Sequence, residues 1–196
     1  WTDMGSPGES DGSASHIRAH IYSGNGTGIG NEFIVNSTTF AEQAWPAVAA
    51  LADGRFMVTW NDGAQIVGRV FDMNGTPFSD DFSVTAGVYA VDSAVTALDD
   101  HRFLISYTQY VNGVPSIYGV VRDADATNDA NDGGFAITEA HVAVPSVVVL
   151  ADGQVVMVAT DNAPSNLGDP SGKGVVAQRL DPREAGISLT GSSLNN

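Results

Sequence analysis

One stretch of this chain is written three times, and that repetition limits its folds more than any other feature. Pro46-Ala-Val-Ala-Ala-Leu-Ala-Asp-Gly-Arg-Phe-Met-Val-Thr-Trp60 recurs as Ala94-Val-Thr-Ala-Leu-Asp-Asp-His-Arg-Phe-Leu-Ile-Ser-Tyr107 and as Pro145-Ser-Val-Val-Val-Leu-Ala-Asp-Gly-Gln-Val-Val-Met-Val-Ala159. Leu51, Leu98 and Leu150 mark the copies, 47 and 52 residues apart. Each copy is an apolar run, a two-residue turn of the Asp-Gly type (Asp53-Gly54, Asp100-His101, Asp152-Gly153) and a second apolar run. That pattern predicts a β-hairpin. The runs are almost continuously Val, Ala, Leu, Ile and Phe, which suits strands covered on both faces.

Two further elements accompany the hairpins. One, alternating in character, reads His16-Ile-Arg-Ala-His-Ile-Tyr22, Gln65-Ile-Val-Gly-Arg-Val-Phe71, Ser116-Ile-Tyr-Gly-Val-Val-Arg122 and Gly174-Val-Val-Ala-Gln-Arg-Leu180. Its period of two, with charges on one face, predicts a strand at the wetter edge of a sheet. The other is short: Glu32-Phe-Ile-Val35, Asp81-Phe-Ser-Val84, Gly134-Phe-Ala-Ile137 and Gly186-Ile-Ser-Leu189. Short strand, hairpin and outer strand make four strands in about 50 residues, the arithmetic of a β-propeller blade. No capped stretch of helical period competes with these templates.

The expected fold is therefore an all-β propeller of four-stranded blades, forming one domain over residues 1–196 or part of one. Repeat units fall at approximately 31–77, 80–125 and 133–181, with 1–30 and 186–196 as parts of a blade split between the termini. Trp1 stands where Trp60 stands in its copy, and Gly186–Leu189 opens a unit that receives no hairpin. This reading holds three full inner hairpins and expects a fragment of a longer polypeptide, or a half-ring completed by a second chain.

Charge excludes some partners. Eight Lys and Arg against 23 Asp and Glu leave a formal charge of −15, which repels phosphate backbones and anionic lipid. Nucleic acid is not an expected partner, nor is membrane insertion, because no apolar run of transmembrane length exists and no signal peptide opens the chain. A soluble protein is expected. Zero cysteines exclude disulfides and thiol catalysis. The acidity, with the Gly, Ser, Thr and Asn content, leans towards a secreted or cell-surface bacterial protein.

The pattern carried by Glu32–Asn36, Pro46–Trp60 and Ile66–Pro77 resembles repeats of large secreted bacterial calcium-binding proteins of the repeats-in-toxin type and of related surface adhesins. The likeness covers nearly the whole chain and is closest in the middle repeat. Trp60 becomes Tyr107 and then Ala159 in the later copies, and the glycine-rich nonapeptide array of such proteins is absent. The resemblance implies secretion and surface binding.

One acidic cluster suggests a ligand. Asp123, Asp125, Asp129 and Asp132 lie in a single connection, Asp123-Ala-Asp-Ala-Thr-Asn-Asp-Ala-Asn-Asp132-Gly-Gly, and closely spaced carboxylates on a turning loop can supply the six to eight oxygens calcium takes. The four are the candidate metal ligands, with calcium as the candidate cofactor. A solvated acidic loop is the alternative, because the spacing departs from an EF-hand and lacks its closing Glu. Asp72-Met-Asn-Gly75 reads as a tight turn.

His16 and His20 share a strand face with Arg18 between them and read as ordinary edge-strand exposure, with a metal or anion site as the alternative. His101 and His141 show no partner in the sequence. No nucleophile elbow, His-Glu-x-x-His or phosphate-cradling loop exists. The expected function is a non-catalytic binding or assembly module for carbohydrate or protein. The runner-up is a polysaccharide hydrolase or lyase using loop carboxylates such as Asp62 and Asp161, and a third reading is a structural spacer.

Overall fold

All three repeated runs fold back as hairpins. A computed structural model describes residues 1–4, 15–39, 41–85, 87–98, 101–125, 134–137, 141–161 and 174–181. Among them there is no helix; the chain is all-β. Four antiparallel sheets follow one another along the chain. Sheet I holds β1 (Thr2–Asp3), β2 (His16–Tyr22) and β3 (Gly28–Ile34). Sheet II holds β4 (Ala44–Ala50), β5 (Phe56–Asn61), β6 (Ile66–Phe71) and β7 (Phe82–Ser83). Sheet III holds β8 (Ala90–Ala97), β9 (Arg102–Val111), β10 (Val114–Asp123) and β11 (Phe135–Ala136). Sheet IV holds β12 (Val142–Val149), β13 (Val155–Asp161) and β14 (Gly174–Leu180).

Within each sheet the strands pair in chain order. The short strand closes the sheet of the hairpin before it: β7 pairs with β6, and β11 with β10. Sequence units at 31–77, 80–125 and 133–181 are the same repeat in a different phase. One consequence corrects an expectation for three of the four alternating strands, since β2, β6 and β10 lie inside their sheets while β14 stands at the edge of sheet IV among the described residues. Gly186–Leu189 lies outside the described residues.

Side-chain alternation explains the stacking. Met57, Ile66 and Val70 of sheet II pack with Phe103, Ile105, Tyr107 and Val120 of sheet III. The intervening residues Val58, Trp60, Val67 and Phe71 pack with Ile17 and Val35 of sheet I. Sheets III and IV meet through Leu104 and Ile117 against Val155, Met157 and Ala159. Each inner sheet thus buries both faces, which is why its strands read as unbroken apolar runs. Gly68 and Gly119 make room for the short strands: a Cβ there would sit 2.9 Å from Phe82 Cζ or 2.7 Å from Ile137 Cδ1.

The first and third hairpin tips are three-residue loops and not the two-residue turns expected. Leu51 N–H donates to Arg55 O at 2.8 Å and Gly54 N–H donates back to Leu51 O at 3.1 Å, with Gly54 left-handed at φ 90. The second tip places His101 there at φ 64, and the third places Gly153 at φ 80. A tight turn ending in a left-handed residue is the usual three-residue hairpin, and glycine takes that conformation without steric cost.

Candidate functional site

The first strand of sheets II, III and IV carries the same irregularity at the same place. Pairing shifts between Ala44 and Ala47, between Val91 and Ala94, and between Ala143 and Ser146. In each case two residues stand opposite one, and the first of the two has positive φ: Trp45 at 52, Asp92 at 54 and Val144 at 58. A β-bulge with a left-handed first residue normally puts glycine there. A tryptophan, an aspartate and a β-branched valine carry backbone strain instead, of order 1–3 kcal/mol each. Pro46 and Pro145 follow two of them and give the ladder no N–H.

Contacts from the preceding sheet fix these bulges at one end of the stack. Thr2 Oγ1 accepts the Trp45 N–H at 3.3 Å, and Thr108 Oγ1 accepts the Val144 N–H at 3.0 Å. Asn61, which takes the register position of Thr2, donates from Nδ2 to Ala90 O at 2.8 Å. Ala90 also pairs with Gln109, so Tyr89 and Tyr110 flank that pair; their rings lie 5.7 Å apart. Trp45, Tyr89, Tyr110 and Val144 are all exposed, Trp45 at 61%. Burial raises the Asp92 carboxyl above the ordinary carboxylate range, and it is the sole cause of that shift. This end therefore presents aromatic faces, an incompletely solvated carboxylate and bulged backbone.

The residues singled out from sequence fare unevenly. Asp123 pairs with Arg102 in the β9–β10 ladder and Asp125 lies in the turn beyond it; both have partners in the fold. Asp129 and Asp132 lie outside the described residues. No group of three or more metal-ligating side chains is gathered among the described residues. His16 corrects its expected exposure: it is buried, with Nε2 3.4 Å from Asp3 Oδ2. Arg18 Nε meets the same carboxylate at 2.7 Å and its Nη1 meets Glu32 Oε1 at 2.7 Å. His20 instead tilts against Tyr22, with centroids 4.5 Å apart. The two histidines have separate surroundings.

His101 also has a partner that the sequence did not show, Asp53 Oδ2, 3.5 Å from its Nδ1. Hydrogen bonds from the Arg55 side chain, then from its N–H, hold Asp53 below the ordinary carboxylate range. At the β6–β7 turn the Thr76 N–H does the same for Asp72. Asp62 is occupied by its own turn: it accepts from Ala64 N–H, Gln65 N–H and Gln65 Nε2 at 3.0–3.1 Å. The bulge residues escaped sequence reading because the usual mark of such a bulge, a glycine, is absent. The one signal was a large apolar residue directly ahead of proline at the start of the apolar run, in Trp45-Pro46 and Val144-Pro145.

No protein-family model matches the chain, and no curated protein does. Solved structures do. A protein of unknown function from Dyadobacter fermentans aligns with a TM-score of 0.63 at 17% identity, over 85% of this chain and 45% of that one. An endo-1,4-beta-xylanase from Bacteroides thetaiotaomicron aligns with a TM-score of 0.53 at 11% identity, over 79% of this chain and 56% of that one. The chain spans about half the length of these structures, and at such identities the likeness is one of fold.

Proposed function

We propose that this chain is a non-catalytic carbohydrate-binding module of β-propeller architecture, acting outside the cell or at its surface. The observation that carries the reading is Trp45, held in strained left-handed backbone and exposed at the same end as the Tyr89–Tyr110 pair and Asp92. Strain in a structured strand persists where the surroundings enforce it, and such positions cluster at ligand sites. Exposed tryptophan and tyrosine offer flat apolar faces to the C–H faces of sugar rings at low entropic cost. A carboxylate at the same end, Asp92, can accept hydrogen bonds from sugar hydroxyls, and partial burial makes such a bond stronger than in water. The propeller reading rests on four chain-ordered antiparallel sheets packed face to face, with the first strands of sheets II, III and IV carrying the same bulge at the same end.

The charge of −15 supports a neutral ligand over a phosphate-bearing one. Turnover receives no comparable support, because Asp62, a candidate for it, braces its own turn. Calcium remains part of the proposal through Asp123 and Asp125, whose connection continues to Asp129 and Asp132. A glycan array probed with and without chelator tests the reading. Binding to neutral polysaccharide that is lost in Trp45→Ala and in Tyr110→Ala is expected. Binding that survives both substitutions, or no binding to any glycan, would count against it.

A further inference from the structure

Asparagine or aspartate stands directly before glycine at six places among the described residues: Asn25, Asp53, Asp62, Asn74, Asn112 and Asp152. Such a step carries its own chemistry, because glycine has no side chain to keep its nitrogen from the carbonyl carbon of the side chain before it. Whether that nitrogen is free depends on the fold. At five of the six it is committed. Gly26, Gly54, Gly75 and Gly153 donate to the backbone oxygens of Ser23, Leu51, Asp72 and Leu150 at 2.8–3.1 Å, and Gly63 donates to Asn61 Oδ1 at 2.8 Å.

Asn112-Gly113 is different. These two residues alone join β9 to β10, with Val111 paired to Val114, and both have positive φ, 53 and 80. This is the mirror-image two-residue hairpin turn that Asn-Gly favours. Among the described residues the Gly113 N–H makes no hydrogen bond, and neither does the Asn112 side chain. The Asn25 side chain, by contrast, is held: its Oδ1 accepts from Ser23 Oγ at 2.6 Å and from the Thr27 N–H at 3.1 Å. Asn74 lies beside Asp72, whose carboxylate accepts the Asn74 N–H at 2.9 Å and opposes a second negative charge on the next nitrogen. The Gly75 backbone is also covered, since a Cβ there would sit 2.8 Å from Phe33 Cε1. Around Gly113 the space is open, and no acid lies between Tyr110 and Ser116.

We propose that Asn112 is a site of spontaneous covalent modification, the one Asn-Gly step of the chain that the native fold leaves reactive. Hydroxide takes the Gly113 N–H proton and the nitrogen attacks Asn112 Cγ. The N–Cγ bond forms, the Cγ–Nδ2 bond breaks, and Nδ2 leaves as ammonia with a proton from water, which regenerates hydroxide. Water then opens the resulting succinimide at either carbonyl. One opening gives aspartate; the other gives isoaspartate, whose main chain runs through Cβ and Cγ. Both add a negative charge, and the second puts an extra main-chain atom into a two-residue loop that has no slack. The pairs Val111–Val114 and Tyr110–Pro115 come directly after that loop. Tyr110 donates its N–H to Tyr89 O at 3.3 Å and tilts against the Tyr89 ring, so it is the side chain displaced.

Peptide mapping of the native chain after ageing in mildly alkaline buffer tests the proposal, with fragmentation by electron transfer to separate isoaspartate from aspartate. The Asn112 peptide should convert several-fold faster than the Asn25 and Asn74 peptides and should contain isoaspartate. In urea the three steps should react at closely similar rates. The near-ultraviolet circular dichroism of the tyrosines should change in proportion to conversion. Asn112→Asp, which carries the charge without the extra atom, should keep the spectrum of the fresh chain. Asn112→Gly, which suits a left-handed turn position, should age without spectral change. Native conversion at Asn25 or Asn74 as fast as at Asn112 overturns the proposal. So does a product at Asn112 free of isoaspartate, or a lead of Asn112 that persists in urea.

Discussion

The hairpin tips and the strand bulges treat left-handed backbone differently. At the hairpin tips the left-handed position goes to Gly54 and Gly153, with φ 90 and 80, and the β6–β7 turn uses Gly75 at φ 82. At the bulges it goes to Trp45, Asp92 and Val144, while the turns at that same end use Gly63 and Gly113 at φ 93 and 80. The chain has 22 glycines, so the difference is not one of supply. Where only a turn is needed, glycine removes the cost; where strain is kept, the side chains that bear it point to a use. His101 crosses this division, a non-glycine residue at a tip, and its contact with Asp53 is the local compensation.

Making a tip resemble the bulge end should have the largest effect. Gly54→Val puts a β-branched side chain at φ 90 with its Cβ 3.0 Å from Met73 Cβ, and should lower stability in urea by about 2–3 kcal/mol. Reversing the exchange at a bulge comes next. Val144→Gly relieves about 1–3 kcal/mol of backbone strain against roughly 0.5–1 kcal/mol of added chain entropy. It should leave stability unchanged or higher, whereas Val148→Gly on the same strand, equally exposed but unstrained, should lower it. Equal losses in the two variants would refute the contrast. His101→Gly should stabilise by about 1 kcal/mol, seen as a higher midpoint in thermal denaturation.

The smallest effect is pH-dependent. Asp92 titrates above its unfolded value, so its favourable contribution is complete below the unfolded pKa and is lost as pH rises through the folded one. Asp92→Asn should therefore melt slightly higher than the parent at neutral pH and match it in acid. Asp53 and Asp72 have the opposite sign: their stabilisation is present above the unfolded carboxylate range and fades as pH falls. A neutral-pH melting curve unmoved by Asp92→Asn would remove burial as the cause of that shift.

Much of the fold could be read from the chain, because Leu51, Leu98 and Leu150 each open a hairpin tip with the same N–H to O bond four residues on, and two-sided burial leaves apolar runs that no solvent-facing strand would show. The phase of the repeat could not. Alternation says that Phe82 and Phe135 belong to strands, but not whether they pair forward or back; Gly68 and Gly119, which leave space for them, were the clue. The surroundings of His16 depend on Asp3, a partner 13 positions away in sequence and adjacent only through β1–β2 pairing. At the candidate site, Trp45 lies just ahead of the repeated run that begins at Pro46 and is not marked by it. Its φ is a property of the closed ladder, with Ala44 opposite Asn61 and Ala47 opposite Thr59, and composition does not carry it.

The most direct test is a fluorescence titration of a Trp1→Phe chain with soluble xylan, mannan and β-glucan. Trp45 is then the one exposed tryptophan and Trp60 is buried, so any ligand-dependent change in emission reports the bulge end. The account predicts a saturable blue shift and protection from acrylamide quenching with at least one polysaccharide, abolished by Tyr110→Ala. Binding detected by calorimetry with Trp45 emission and quenching unchanged would place the ligand elsewhere and contradict it.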